Sequence, residues 1–284
     1  MKRLAICVIG FCVLLSGAVD AAAQEQPVQS QRYRKLAPGV LKEVSPAPEY
    51  VDSVSRHDVV ELLAVKPDLD IAKEVPFRRE VWGLEFRFKQ VRMYPVDLPQ
   101  PSGKMARKLI WYMVYNVTNN GDALRPVEQP NGAYDVETVA RPIKFVPLFV
   151  LEATEFQKAY PDRVIPLAFA KIAEREDPNR KFYNTVEICR EIAVGETVWG
   201  IATWEDIDPL IDFFSVYIQG LTNAYRWVDE PGKFEPGNQI GVGRRLARKT
   251  LKLNFWRPGD EFYEHEDEIR FGQPGTVDYE WVFR

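Results

Sequence analysis

Between Leu109 and Tyr115 the chain reads Leu-Ile-Trp-Tyr-Met-Val-Tyr, apolar or aromatic at every position. Successive side chains of a strand point to opposite faces, so a strand that is apolar at both parities needs cover on both sides. The turn signal Asn119-Asn120-Gly121 ends the run, which predicts a central strand with a packed layer above and below it. Upstream, Trp82, Leu84, Phe86 and Phe88 alternate with Gly83, Glu85, Arg87 and Lys89, the pattern of a half-buried strand. The phase then slips to Val91 and Met93, and a β-bulge near Lys89-Gln90 would realign the two halves.

Six further strands are predicted downstream. Ile143–Leu151 is apolar but carries Pro147, which cannot donate to a ladder and places the stretch at an edge or a bulge. Val186–Val194 and Thr197–Trp204 read as a hairpin joined at Gly195-Glu196, with Cys189 as a small buried hydrophobe. Phe213–Gly220, Leu251–Phe255 and Val277–Phe283 complete the set. The only credible helix runs from about Pro166 to Glu176, with proline at its first position and Phe169 and Ile172 on one face. Helices are missing between most strands, which excludes a parallel α/β fold. The expected class is mainly β: an antiparallel, immunoglobulin-like β-sandwich with one short helix.

The N-terminus has a different composition. Lys2 and Arg3, the apolar stretch Leu4–Leu15 and the small residues Ala21-Ala22-Ala23 have the layout of a secretory signal peptide cleaved after Ala23. The protein is therefore expected to be exported, periplasmic or secreted, with no membrane span after cleavage. Cys7 and Cys12 leave with that segment, so the mature chain keeps Cys189 alone and forms no internal disulfide. Residues 24–76 are rich in proline and read as an extended leader or linker, with the sandwich beginning at Phe77 and running to residue 284. The part from 24 to about 50 is expected not to pack. With 37 basic and 41 acidic side chains the net charge is -4, which leaves no electrostatic footprint for nucleic acid.

Three blocks carry a resemblance: Arg-Lys-Leu-Ile-Trp-Tyr-Met-Val-Tyr-Asn-Val-Thr-Asn-Asn-Gly from Arg107, Glu-Val-Trp-Gly-Leu-Glu-Phe-Arg-Phe-Lys from Glu80, and Val-Trp-Gly-Ile-Ala-Thr-Trp from Val198. They resemble strand blocks of exported bacterial proteins of planctomycete type. The resemblance implies compartment and fold, and brings no catalytic residues with it.

Chemistry-bearing groups are few. Asp260, Glu264, Glu266 and Asp267 surround His265 and could offer oxygen ligands to a hard cation. Their spacing has neither the order of a calcium loop nor the paired histidines of a zinc site, so a solvated loop is the favoured reading. Asp206, Asp208 and Asp212 lie between two strands. A hydrolase using Asp206, Asp208 and Glu264 would need these carboxylates to converge. The glycine-rich stretch 236–243 lacks the strand-loop-helix context of a phosphate cradle, and reads as a connection followed by the solvated charges Arg244, Arg245, Arg248 and Lys249. Aromatics are the richest class. Most should be core, but Trp204, Tyr225, Trp227 and Trp256 fall at predicted strand ends or loops where they could stack on sugar rings. The expected function is accordingly non-enzymatic, in binding or cell-envelope organisation, without a cofactor. Its partner would be a glycan or another envelope protein, and a carbohydrate-binding sandwich is the leading alternative.

Overall fold

A computed structural model of the chain describes residues 39–44, 81–131, 134–235, 239, 242–257 and 269–284. The first sheet starts with β1 (Lys42–Val44), which pairs with β2 (Glu85–Phe88); β2 and then β3 (Arg92–Pro99) both pair with the long β4 (Met105–Thr118). Phe88 stands opposite Tyr115 and Arg92 opposite Tyr112, so Lys89, Gln90 and Val91 face only Met113 and Val114. That one extra residue is the bulge the sequence requires, and it lets Phe86, Phe88, Val91 and Met93 all turn inward.

A hairpin of β5 (Ala123–Glu128) and β6 (Tyr134–Val139) follows. The chain then splits around Pro147 into β7 (Ile143–Lys144) and β8 (Leu148–Ala153), so the proline never enters a ladder. β9 (Lys158–Pro161) pairs with β8, and helix α1 runs from Pro166 to Glu176 with proline in its first turn. β10 (Glu191–Ile192) pairs with β7, and β11 (Thr197–Trp204) returns to the first sheet beside β4. The second sheet is completed by β12 (Phe213–Gln219), β13 (Tyr225–Asp229), β14 (Arg244–Trp256), β15 (Arg270–Phe271) and β16 (Tyr279–Phe283), with β12 between β8 and β14. Every named strand pair is antiparallel.

One apolar core joins the two sheets. Trp111 packs edge-on against Phe214 with ring centroids 5.3 Å apart, Phe88 against Phe255 at 6.1 Å, and Tyr115 against Phe149 at 4.7 Å. On the other face of β4, Ile110, Tyr112 and Val114 pack with Ile201 of β11 against Ala168 and Ile172 of α1. This is the double cover expected for the run, and it holds from Ile110 to Tyr115, whereas Leu109 at its start is 45% exposed. Polar contacts fasten the same face. The Glu176 carboxylate, almost wholly buried, accepts from Lys89 Nζ at 2.7 Å, Arg92 Nη1 at 2.8 Å and the Tyr112 hydroxyl at 2.8 Å.

The mainly β, antiparallel class stands, with one helix among the described residues, but the connectivity differs from the expectation. An immunoglobulin sandwich sends its third strand to the opposite sheet, whereas here β1, β2/β3 and β4 follow one another in a single sheet. Two further expectations are corrected. Lys42–Val44, assigned to the leader, joins the first sheet, and Val44 is 2% exposed in the core. The remainder of the expected signal peptide and leader lies outside the described residues. The hairpin between Val186–Val194 and Thr197–Trp204 does not form. Asn184 Oδ1 accepts from the N–H groups of Val186 and Glu187 and turns the chain there, leaving Val186 and Cys189 exposed.

Candidate ligand cleft

The segment Val81–Leu84, just ahead of β2, fastens the first sheet to the connection between β12 and β13. The Leu84 N–H donates to the Leu221 carbonyl at 2.8 Å, and the Trp82 N–H to Asn223 Oδ1 at 3.0 Å. Beside this tie, Gly220 adopts a φ of +93°, and a methyl group there would overlap the Val146 carbonyl. Glycine alone allows both the turn and the close approach. The β13–β14 register then sets Tyr225 opposite Arg248 and Trp227 opposite Leu246.

These elements enclose a cleft of 400 Å³, within the size range of small-ligand sites. Trp82 and Tyr225 supply aromatic surface, Thr222 and Asn223 supply polar atoms, Lys144 and Arg248 supply positive charge, and Val146 and Leu246 complete the apolar wall. The last two are 53% and 41% exposed, so their apolar surface is open to a ligand. A second, smaller cleft of 160 Å³ lies across the tie and shares Thr222 with the first. It contains Glu43, Glu85, Asp122, Lys249 and Trp281. Its charges are largely internal: Arg87 bridges Glu85 at 2.8 Å and Glu43 at 3.3 Å, and Asn120 Nδ2 donates to Glu85 at 3.1 Å.

Of the four aromatics singled out by sequence, Tyr225 lines the cleft. Trp204 is fully buried in the core, so its ring is closed to any ligand. Trp256 lies half-buried where β12 meets the far end of β14, stacked on Phe213 at 6.4 Å with the Arg270 guanidinium 5.2 Å from its ring. Trp227 belongs to β13, and its side chain lies outside the described residues. Asp206 is paired with Lys108 at 2.9 Å and Asp208 with Lys158 at 2.7 Å. The bond from Lys158, reinforced by the Leu210 N–H, holds the Asp208 carboxyl below its ordinary range. Asp208 therefore sits in the ionised form, opposite to what a general acid needs. Asp260, Glu264, Glu266 and Asp267 lie outside the described residues. Among those described, no three His, Cys, Asp or Glu side chains gather closely enough to hold a metal, and no helix is long and apolar enough to cross a membrane.

Trp82, Lys144, Leu246 and Arg248 were not legible as site residues. Trp82 carries the signature of an inward strand residue, Lys144 falls inside the predicted strand Ile143–Leu151, and Arg248 reads as a solvated charge, as does its neighbour Lys249, which the structure instead buries at 5% exposure. What assembles them is the strand register, which no local spacing encodes. Comparison with protein-family models, with curated proteins and with solved structures finds no match.

Proposed function

We propose that the protein is an exported, non-enzymatic binding protein, acting in the periplasm or outside the cell, and that this cleft receives a glycan. One observation carries the reading: two aromatic side chains, Trp82 and Tyr225, line a concave site together with the hydroxyl of Thr222 and the amide of Asn223. Sugar rings present apolar C–H faces and a rim of hydroxyls, and they are bound by that combination of aromatic surface and hydrogen-bonding atoms. The ion-paired Asp206 and Asp208 support binding over hydrolysis.

A glycan array probed with the mature chain tests the reading. Binding is expected, and Tyr225→Ala should weaken it by about tenfold, the loss typical of a central aromatic contact. Two results would overturn it: no binding to any glycan, or turnover of a glycoside, ester or phosphate substrate that a single point substitution abolishes.

A further inference from the structure

We infer that the glycan bound here is acidic, with a sugar-borne carboxylate or sulfate held by Arg248 and Lys144; this rests on the binding reading above. Many of the other arginines in this fold are committed to a carboxylate. Arg92 holds Glu176, Arg163 holds Glu205, Arg190 holds Glu196, Arg244 holds Asp229 and Arg284 holds Glu152. Arg248 and Lys144 both line the cleft, and among the described residues neither has an ion-pair partner. Glu191 stands opposite Lys144 in the β7–β10 ladder without forming an ion pair with it.

The backbone under Arg248 is fixed. Its N–H donates to the Arg284 carbonyl at 2.8 Å, and its own carbonyl accepts from the Arg284 N–H at 3.1 Å. Its guanidinium is therefore carried on a held strand, directly across from Tyr225. A planar guanidinium beside an aromatic ring presents parallel N–H groups to a carboxylate or sulfate while the ring takes the sugar face. Two like charges lining one concave site favour an anionic occupant, so charge complementarity selects the ligand alongside the aromatics. The carboxylates Glu43, Glu85 and Asp122 belong to the neighbouring cleft, on the other side of the tie.

The test titrates the full mature chain with three oligosaccharides of equal length, one bearing uronic acids, one sulfated and one neutral, and includes inorganic sulfate and an acidic peptide as controls. An acidic oligosaccharide should bind at least about tenfold more tightly than the neutral one, with affinity falling as salt is raised from about 50 to about 500 mM. Which acidic arm binds tells carboxylate from sulfate. Arg248→Gln should lower the ratio of acidic to neutral affinity by about tenfold. Lys144→Gln gives the same readout on a separate strand should Arg248→Gln fail to fold. Equal affinity for neutral and acidic arms, unmoved by either substitution, overturns the acidic preference and leaves glycan binding intact. Binding of sulfate or the peptide as tight as that of the acidic sugar overturns it in favour of a plain anion site. Failure of every oligosaccharide to bind overturns the binding reading and this inference together.

Discussion

Glu176 shows how one side chain settles the position of a whole element. Burial alone would push its carboxyl up, but the bonds from Lys89 and Tyr112 and the charge of Arg92 outweigh burial and hold it below the ordinary carboxyl value. The folded pKa is thus lower than the unfolded one. Its contribution to stability is present above the unfolded value and is lost as pH falls through the folded value. Glu176→Gln should cost about 3 kcal/mol near neutral pH, because it leaves Lys89 and Arg92 without their shared partner. Denaturant titrations across pH 2–7 should show a shallower acid limb in the variant, and an unchanged limb would contradict this assignment. Tyr115 illustrates the opposite case. Its hydroxyl is buried and finds no hydrogen-bond partner among the described residues, and burial pushes its pKa well up. Tyr115→Phe is therefore expected to stabilise the fold by about 1 kcal/mol in urea unfolding, since it removes an unsatisfied polar group and little else. A loss of stability would mean that the hydroxyl is satisfied after all. At this scale the sequence is informative about class and weak about exposure. Trp204 and Tyr225 both read as aromatics near strand ends, yet one is sealed in the core and the other lines a cleft.

Elements were legible wherever a periodic pattern was long enough to have a single solution. Helix α1 runs between the residues expected from its first-turn proline and apolar spacing, and the β2–β3 bulge follows from a phase slip that only an inserted residue can repair. The region around Val186 failed because periodicity there competes with a side chain that supplies its own turn. Asn184 satisfies two backbone N–H groups locally, so of the run Val186–Val194 only Glu191–Ile192 forms a strand, and it pairs with β7. The helix provides the test of an element's role. Ile172 is fully buried between α1 and the first sheet, whereas Leu167 on the same helix is 48% exposed. Ile172→Ala should cost about 3 kcal/mol, and Leu167→Ala no more than about 0.5 kcal/mol. Similar losses at both positions in thermal unfolding would show that α1 is not seated on the outer face of β4.

For the molecule as a whole, the mainly β, antiparallel class was legible in the sequence, but not which strands are adjacent. Alternation tells which side of a strand is buried; it does not name the neighbour. That is why the mainly β class could be read and the strand order could not, and why the cleft, assembled from β7, β13, β14 and the segment before β2, had no local signature. The same reasoning revises the N-terminal boundary. A chain beginning at Gly39 should melt with one beginning at Gln24, whereas one beginning at Tyr50 loses β1 and the buried Val44. The shorter chain is expected to melt at least about 4 °C lower, corresponding to about 1–2 kcal/mol of lost burial and pairing. Equal melting temperatures for all three would return β1 to the leader.

The most direct test of the central claim, that the cleft beside the Trp82–Asn223 tie is the binding site, is an NMR titration of the labelled chain from Gln24 with an acidic oligosaccharide. Saturable shift changes are expected at the Trp82 indole and at the amides of Lys144, Gly220–Tyr225 and Leu246–Arg248, with the Trp204 indole unmoved. Changes centred instead on Phe213 and Trp256, or none at concentrations where the array reports binding, would contradict it.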